Sequence, residues 1–225
     1  MLGIISDIHG NYPALQAVLT KLDKLGCKDI ISLGDVCGYY CMVNECINEL
    51  KDRGITNILG NHDFYIVNNE KCGRSYSANL CLDYQRKILT KDNIEWLKKS
   101  VTYIRMDNMW LVHGGWHDYL DEYVTDFSFL DKENTGISIY ISGHTHVQKR
   151  VDGEWAVYFN PGSVGQPRDY DSRAAYATIN GMGEIKLERV EYDVECIDYA
   201  MKRAGFPKRI SSCLYDGTKI GENEK

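Results

Sequence analysis

The chain of 225 residues has only 4 prolines and no Ser-, Gly- or Gln-rich tract, which excludes a disordered polymer. It contains no run near the ~18 apolar residues that a membrane-spanning helix needs. Its first residues, Met1-Leu2-Gly3-Ile4-Ile5-Ser6-Asp7, hold neither a basic stretch nor a long apolar one, so no secretory leader is expected. Basic residues are in the minority. The 26 Lys and Arg against 32 Asp and Glu leave a net charge of −6, which counts against an extended nucleic-acid-binding face. The 8 cysteines form no C-x-x-C pair, so a zinc ribbon is not the expectation. Free thiols in a reducing cytoplasm are.

What the chain does have is material for a core, with 44% hydrophobic residues. Residues 2–6 read as a buried strand. Asn11 then caps a helix with Pro13 in its first turn and an apolar stripe of Leu15, Val18, Leu19, Leu22 and Leu25, stopped by Gly26. Residues 29–33 are a second strand, 43–52 a helix and 56–59 a third strand. This rhythm predicts a parallel α/β sheet. Residues 75–99 are helical with a break at Thr90. Beyond them, short strand-like runs at 101–105, 109–112, 137–141, 155–159, 174–179 and 184–190 predict a second, β-rich layer. A late helix spans 195–204. With no repeat or linker, residues 1–216 are expected to form one domain, followed by a frayed polar tail over 217–225.

Five places put metal-binding side chains where a strand ends: Asp7-Ile8-His9, Gly34-Asp35, Asn61-His62-Asp63, His113-Gly114-Gly115 and Gly143-His144-Thr145-His146. Crevices of α/β sheets open at strand C-termini. A spacing of two places both side chains of Asp7-x-His9, or of His144-x-His146, on one side of an extended chain. Taken singly, each motif has an ordinary reading as a turn, a helix cap or an exposed face. Taken jointly they do not, because five of the 6 histidines fall inside them.

This ordered set resembles the full signature of the calcineurin-like metallophosphoesterases. Gly38-Tyr39 after Gly34-Asp35, and Asn160-Pro161-Gly162-Ser163-Val164-Gly165-Gln166-Pro167-Arg168, resemble its bacterial and archaeal predicted-phosphodiesterase branch. The resemblance covers residues 2–179. It implies a four-layer α-β-β-α sandwich of two mixed sheets, with the site at strand C-terminal ends. It also implies two divalent ions, one held by Asp7, His9 and His146, the other by Asn61, His113 and His144, with Asp35 bridging them. Oxygen and imidazole donors without thiolate suit Mn²⁺ first, with Fe, Zn²⁺ or Ni²⁺ as further fits.

The implied chemistry is attack on phosphorus by a hydroxide shared between the ions. His62 is then the candidate general acid, with Asp63 orienting it, and Asn61, Ser163 and Arg168 facing the substrate. Two departures stand out. No arginine follows Gly34-Asp35, and His113-Gly114-Gly115-Trp116 replaces the branch's usual His-Gly-Ser-Pro. The missing arginine tilts the expectation toward phosphodiesters. Phosphomonoesters, dinucleoside polyphosphates and a non-catalytic metal-binding scaffold are the alternatives; His62 argues against the scaffold. The expected partner is a small phosphate ester or nucleotide, without a membrane. The sequence carries no reading of the oligomeric state.

Overall fold

Three parallel strands in each of two sheets aim their C-terminal ends at one place. The computed structural model describes residues 1–133 and 135–221. In chain order the elements are β1 (Leu2–Ile5), α1 (Tyr12–Lys24), β2 (Asp29–Ser32), α2 (Val43–Asp52), β3 (Thr56–Asn57) and α3 (Asn61–Val67). Then come α4 (Tyr76–Ile88), α5 (Lys91–Leu97), β4 (Ile104–Met106), β5 (Met109–Leu111), β6 (Ile139–Ile141), β7 (Lys149–Asp152) and β8 (Val157–Asn160). The chain continues through β9 (Ala174–Ile179), β10 (Ile185–Val190), α6 (Val194–Arg203) and α7 (Arg209–Ser212). The first sheet has the order β10-β9-β1-β2-β3, the second β4-β5-β6-β8-β7. Within them β1, β2 and β3 are mutually parallel, as are β5, β6 and β8, while the flanking strands run antiparallel.

The period-two alternation of the strands sorts side chains into layers. Between the sheets lie Ile4, Ile31, Leu33, Ala177 and Ile179 from one side and Met109, Leu111, Ile139, Ile141 and Phe159 from the other. The opposite face of the first sheet, with Ile5 and Tyr176, packs on the helices. There α1 buries Ala14, Leu15, Val18, Leu19 and Leu22, and Asn11 Oδ1 accepts from Ala14 N at 3.3 Å. The opposite face of the second sheet carries Trp110, Tyr140, Tyr158 and Val151. Trp116, Phe127, Phe129 and Leu130 cover it, so a loop with one 3₁₀ turn (Ser128–Asp131) makes this outer layer instead of α-helices.

Three other features differ from the sequence reading. Strand β7 reads Lys-Arg-Val-Asp, an edge strand whose charged residues hide any apolar alternation. The Asn61-His62-Asp63 motif, read as a strand end with a loop or helix cap as its ordinary alternative, opens a helix, α3. The tail does not fray at its start: Gly217 O accepts from Tyr170 N at 2.9 Å and Thr218 is buried. Residues 222–225 of that tail lie outside the described residues. All eight cysteines are free and seven are buried. No helix among the described residues is long and apolar enough to cross a membrane.

Candidate metal centre

Each ligand motif follows one of the convergent strands. Asp7 and His9 follow β1, Asp35 follows β2, Asn61 and His62 follow β3, His113 follows β5, and His144 and His146 follow β6. Asp7, His9, Asp35, His144 and His146 all have φ between 52° and 66°, the left-handed region. For residues with a Cβ that conformation costs about 1–2 kcal/mol each, and it persists only where the surroundings enforce it. Here the surroundings are backbone hydrogen bonds: Asp7 N to Gly34 O at 3.0 Å, His9 N to Asp35 O at 2.9 Å, and Gly165 N to Asp7 O at 3.0 Å. Gly60 allows a close approach, since a Cβ there would overlap the Asp35 backbone and carboxylate.

The histidine hydrogen bonds show which ring nitrogens remain available to a ligand. A backbone carbonyl only accepts, so His9 Nδ1 donates to Cys37 O at 2.7 Å and His146 Nδ1 donates to Gln166 O at 2.6 Å. Burial pushes the pKa of both rings well below the usual histidine range, so both are neutral. Their Nε2 atoms therefore point bare lone pairs at each other across 3.0 Å. A cation between them would turn that repulsion into attraction. Asp7 Oδ1, buried and without a hydrogen-bond partner, lies 3.3 Å from His146 Nε2 and 3.8 Å from His9 Nε2. Such donor–donor spacings suit ligands placed ~2.1 Å from a common ion.

A second cluster adjoins the first. Asp35 Oδ2 lies 3.7 Å from His9 Nε2 and 3.5 Å from His113 Nε2, between the two groups, while its Oδ1 accepts from His62 N at 2.8 Å. His113 Nδ1 donates to Leu33 O at 2.9 Å, and its Nε2 is 3.1 Å from Asn61 Oδ1. His144 Nε2 is buried and unpartnered. Asp35, His113 and His144 offer atoms within 4.8 Å of one another. Burial opposes the Asp35 charge most strongly, but His113, His62 and His9 together outweigh it and hold this carboxyl below its usual range. Burial lifts Asp7, with the Asp35 charge adding to it and His113 opposing. Burial would also depress His113, but the Asp35 carboxylate overrides it and raises the ring to about 9. His144, desolvated and beside His113, falls to about 3.

The structure brings all seven expected ligands together and separates the remaining candidates by role. His62 is 5% exposed, lines the cleft above the ligands and has a buried Nδ1 without a partner. A ring nitrogen of His62 lies within 4.8 Å of donor atoms of His9 and Asp35. Burial, the largest effect, lowers its pKa.

Asp63 does not orient His62. Its carboxylate is directed away, Oδ1 accepting from Cys37 N at 2.8 Å and Oδ2 from Asn57 Nδ2 and Gly60 N at 3.4 Å, which ties two ligand loops together. Ser163, expected at the substrate, is instead fully buried: its Oγ donates to Asp7 O at 2.7 Å and accepts from Gln166 N at 2.7 Å. Arg168 does line the cleft, held by Gln166 Oε1 at 2.6 Å with its guanidinium over the Tyr39 ring.

The cleft measures about 240 Å³ and is also lined by Tyr39, Arg74, Tyr123 and Lys219. Tyr123 lies over His144 with ring centroids 4.4 Å apart, and Arg74 pairs with Asp121. Sequence reading missed Arg74, Tyr123 and Lys219, because no local pattern marks a side chain that reaches the site from a distant loop.

The family model described as calcineurin-like phosphoesterase superfamily domain matches residues 1–182. An uncharacterized protein of Methanocaldococcus jannaschii is 31% identical over 241 residues, which cover 96% of this chain and 98% of that one. The crystal structure of a metallophosphoesterase from Sphaerobacter thermophilus superposes with a TM-score of 0.83 at 27% identity, covering 96% and 99% of the two chains. A hypothetical protein from Pyrococcus horikoshii has the same fold, with a TM-score of 0.87 at 19% identity and coverage of 97% and 100%.

Proposed function

The chain belongs to the calcineurin-like phosphoesterase superfamily, and from that premise we propose that it is a binuclear-metal hydrolase acting first on phosphodiesters. One observation carries the metal reading: two neutral histidines, His9 and His146, face each other through bare Nε2 atoms 3.0 Å apart beside the unpartnered Asp7 Oδ1. We assign Asp7, His9 and His146 to one ion, Asn61, His113 and His144 to the other, and Asp35 Oδ2 to both. The donor set of imidazole, carboxylate and one amide oxygen fits Mn²⁺ or a similar transition metal. When bound, such ions supply positive charge for the phosphoryl oxygens and an activated water at neutral pH.

The protein's own part is positioning and proton transfer. The strained ligand backbones are held before substrate arrives, so little reorganisation is left for the reaction. Arg168, oriented by Gln166 and Tyr39, offers guanidinium N–H groups to a phosphoryl oxygen. His62, beside Asp35 and lining the cleft, acts as general acid in its imidazolium form, which the Asp35 carboxylate favours and burial opposes, and passes that proton to the departing oxygen. Seven buried unpaired thiols fit a reducing compartment, so we place this activity in the cytoplasm.

The deciding experiment is a side-by-side assay of the Mn²⁺-loaded protein on bis-p-nitrophenyl phosphate and p-nitrophenyl phosphate, with and without chelator. Metal-dependent hydrolysis with the higher kcat/KM on the diester is expected. A strong monoester preference transfers the protein to the phosphomonoesterases. A metal-saturated protein inert toward every phosphoester overturns the catalytic reading.

A further inference from the structure

Strand β10 lies beyond the matched residues 1–182, yet one of its side chains reaches the loop that carries Arg168. Strand alternation puts Ile185, Leu187 and Arg189 on one face of β10. Ile185 and Leu187 pack in the apolar layer between the sheets. An arginine therefore stands where the pattern expects another apolar residue. Its side chain is only 12% exposed, and that of Asp169, which accepts from Arg189 Nη2, is 15% exposed. The rest of the guanidinium is also engaged. Nε donates to Gln148 Oε1 at 3.0 Å, and Nη1 donates to the carbonyls of Asp171 and Arg173 at 3.3 Å. Asp169 Oδ2 accepts further from Gln148 N at 3.1 Å. Gln148 in turn donates through Nε2 to Pro161 O at 3.1 Å and Glu188 O at 2.9 Å. Both segments held in this way lead to the cleft. Gln148 follows closely on His146, Asp169 directly follows Arg168, and Arg168 N donates to His146 O at 3.1 Å.

We infer that Arg189 is a positioning residue: by holding Asp169 and Gln148 it fixes the loop from which Arg168 offers its guanidinium to the phosphoryl group. This rests on the phosphoester reading above and adds the element that sets its anion-binding arm. Stability alone does not account for a charge at this position. Burying an ion pair costs about as much in desolvation as its attraction returns, and apolar residues of similar volume often serve as well or better. What an apolar side chain cannot do is tie several segments together at fixed angles. The planar fork of arginine does so, with donors in set directions. Asp171, 3.5 Å from Arg189 Nε, is already held by Arg173 at 2.6 Å, so Asp169 is the carboxylate that Arg189 aligns. The Arg168 guanidinium is thus fixed at its tip by Gln166 Oε1 and the Tyr39 ring, and at its backbone by the clamp on the next residue. The arm is ordered before an anion arrives, so binding does not carry the cost of ordering it.

The test reads phosphate affinity, which does not depend on turnover. Calorimetry with inorganic phosphate is run on the full-length chain, Mn²⁺-loaded and freed of excess metal. It compares the wild type, Arg168→Ala, Arg189→Ala and the double variant. Arg168→Ala is expected to weaken binding about tenfold, the effect of one charge-assisted hydrogen bond. Arg189→Ala should weaken it about three- to tenfold, the effect of leaving one long side chain to be ordered on binding. The double variant should bind no more weakly than Arg168→Ala, because a residue acting through Arg168 then has nothing left to position. Should Arg189→Ala fail to fold, Arg189→Met combined with Asp169→Asn removes both charges at similar volume and is expected to show the same weakening. Circular dichroism and metal content confirm that each variant is folded and loaded. Wild-type affinity in the Arg189 variants, a double variant weakened by the product of both effects, or metal loss in Arg189→Ala overturns the assignment. So does a loaded protein in which Arg168→Ala changes nothing. Coupled phosphate binding in a protein inert toward every phosphoester would keep Arg189 as a positioning residue and remove only the catalytic reading.

Discussion

One carboxylate oxygen of Asp35 lies within 3.7 Å of a histidine from each metal group, and the other oxygen holds the His62 backbone. A substitution there therefore reaches both groups at once. Asp35→Ala is expected to lose both ions and nearly all activity, whereas His9→Ala should retain the ion on Asn61, His113 and His144. Metal analysis of the purified variants checks both; a fully loaded, active Asp35→Ala protein would remove the bridging assignment. His62 is the contrasting case. His62→Ala should keep its metals and lose roughly 10²–10⁴ in kcat, the size of one acid–base group. The loss should be smaller for a nitrophenolate leaving group than for an alkoxide, which needs its proton more. Loss of metal instead would make His62 a ligand.

Among the elements, the loops after the parallel strands do the positioning, and they are locked by residues that never touch the cleft. Ser163 joins the Asp7 carbonyl to the Gln166 amide, and Asp63 joins the β2 loop to the start of α3. Ser163→Ala leaves the buried Gln166 amide without its partner, while the Asp7 carbonyl keeps Gly165 N, and costs about 1–3 kcal/mol. The variant should show a lower Tm and a kcat loss well below that of His62→Ala. An unchanged Tm with a raised KM would return Ser163 to the substrate. Gly60→Ala, whose Cβ would overlap Asp35, should damage metal binding more than Ser163→Ala does. The motifs containing Ser163 and Asp63 were visible in the sequence; the direction of their side chains was not. Asp63 is expected at the site because it adjoins His62, and Ser163 because it shares a loop with Arg168.

For the whole molecule, metal binding and protonation compete. In the metal-free protein His113 is raised to about 9 and burial lifts Asp7, so both groups hold extra protons near neutral pH. Ions require them deprotonated. Binding at pH 7 should therefore release roughly one to two protons, and affinity should rise with pH until His113 has titrated near 9. Calorimetry in buffers of different ionisation enthalpy reads the release directly; zero release at pH 7 would contradict this coupling. Bound ions also stabilise the fold that gathers their ligands from both sheets, so chelation should lower Tm.

The sequence by itself determined the two-sheet α/β class through its strand rhythm, and its glycine-flanked His and Asp motifs marked seven residues, which the family resemblance implies as metal ligands. It also singled out Arg168, within a stretch of distinctive composition, and the structure puts that side chain in the cleft wall. Tertiary structure decided the rest. The exposed edge strand β7 carries no apolar alternation to read, and the aromatic loop over the second sheet follows no helical period. Arg74, Tyr123 and Lys219 meet at the cleft from three separate segments. Their convergence depends on chain paths closed by long-range packing, such as Gly217 against Asp171, which no window of neighbouring residues contains.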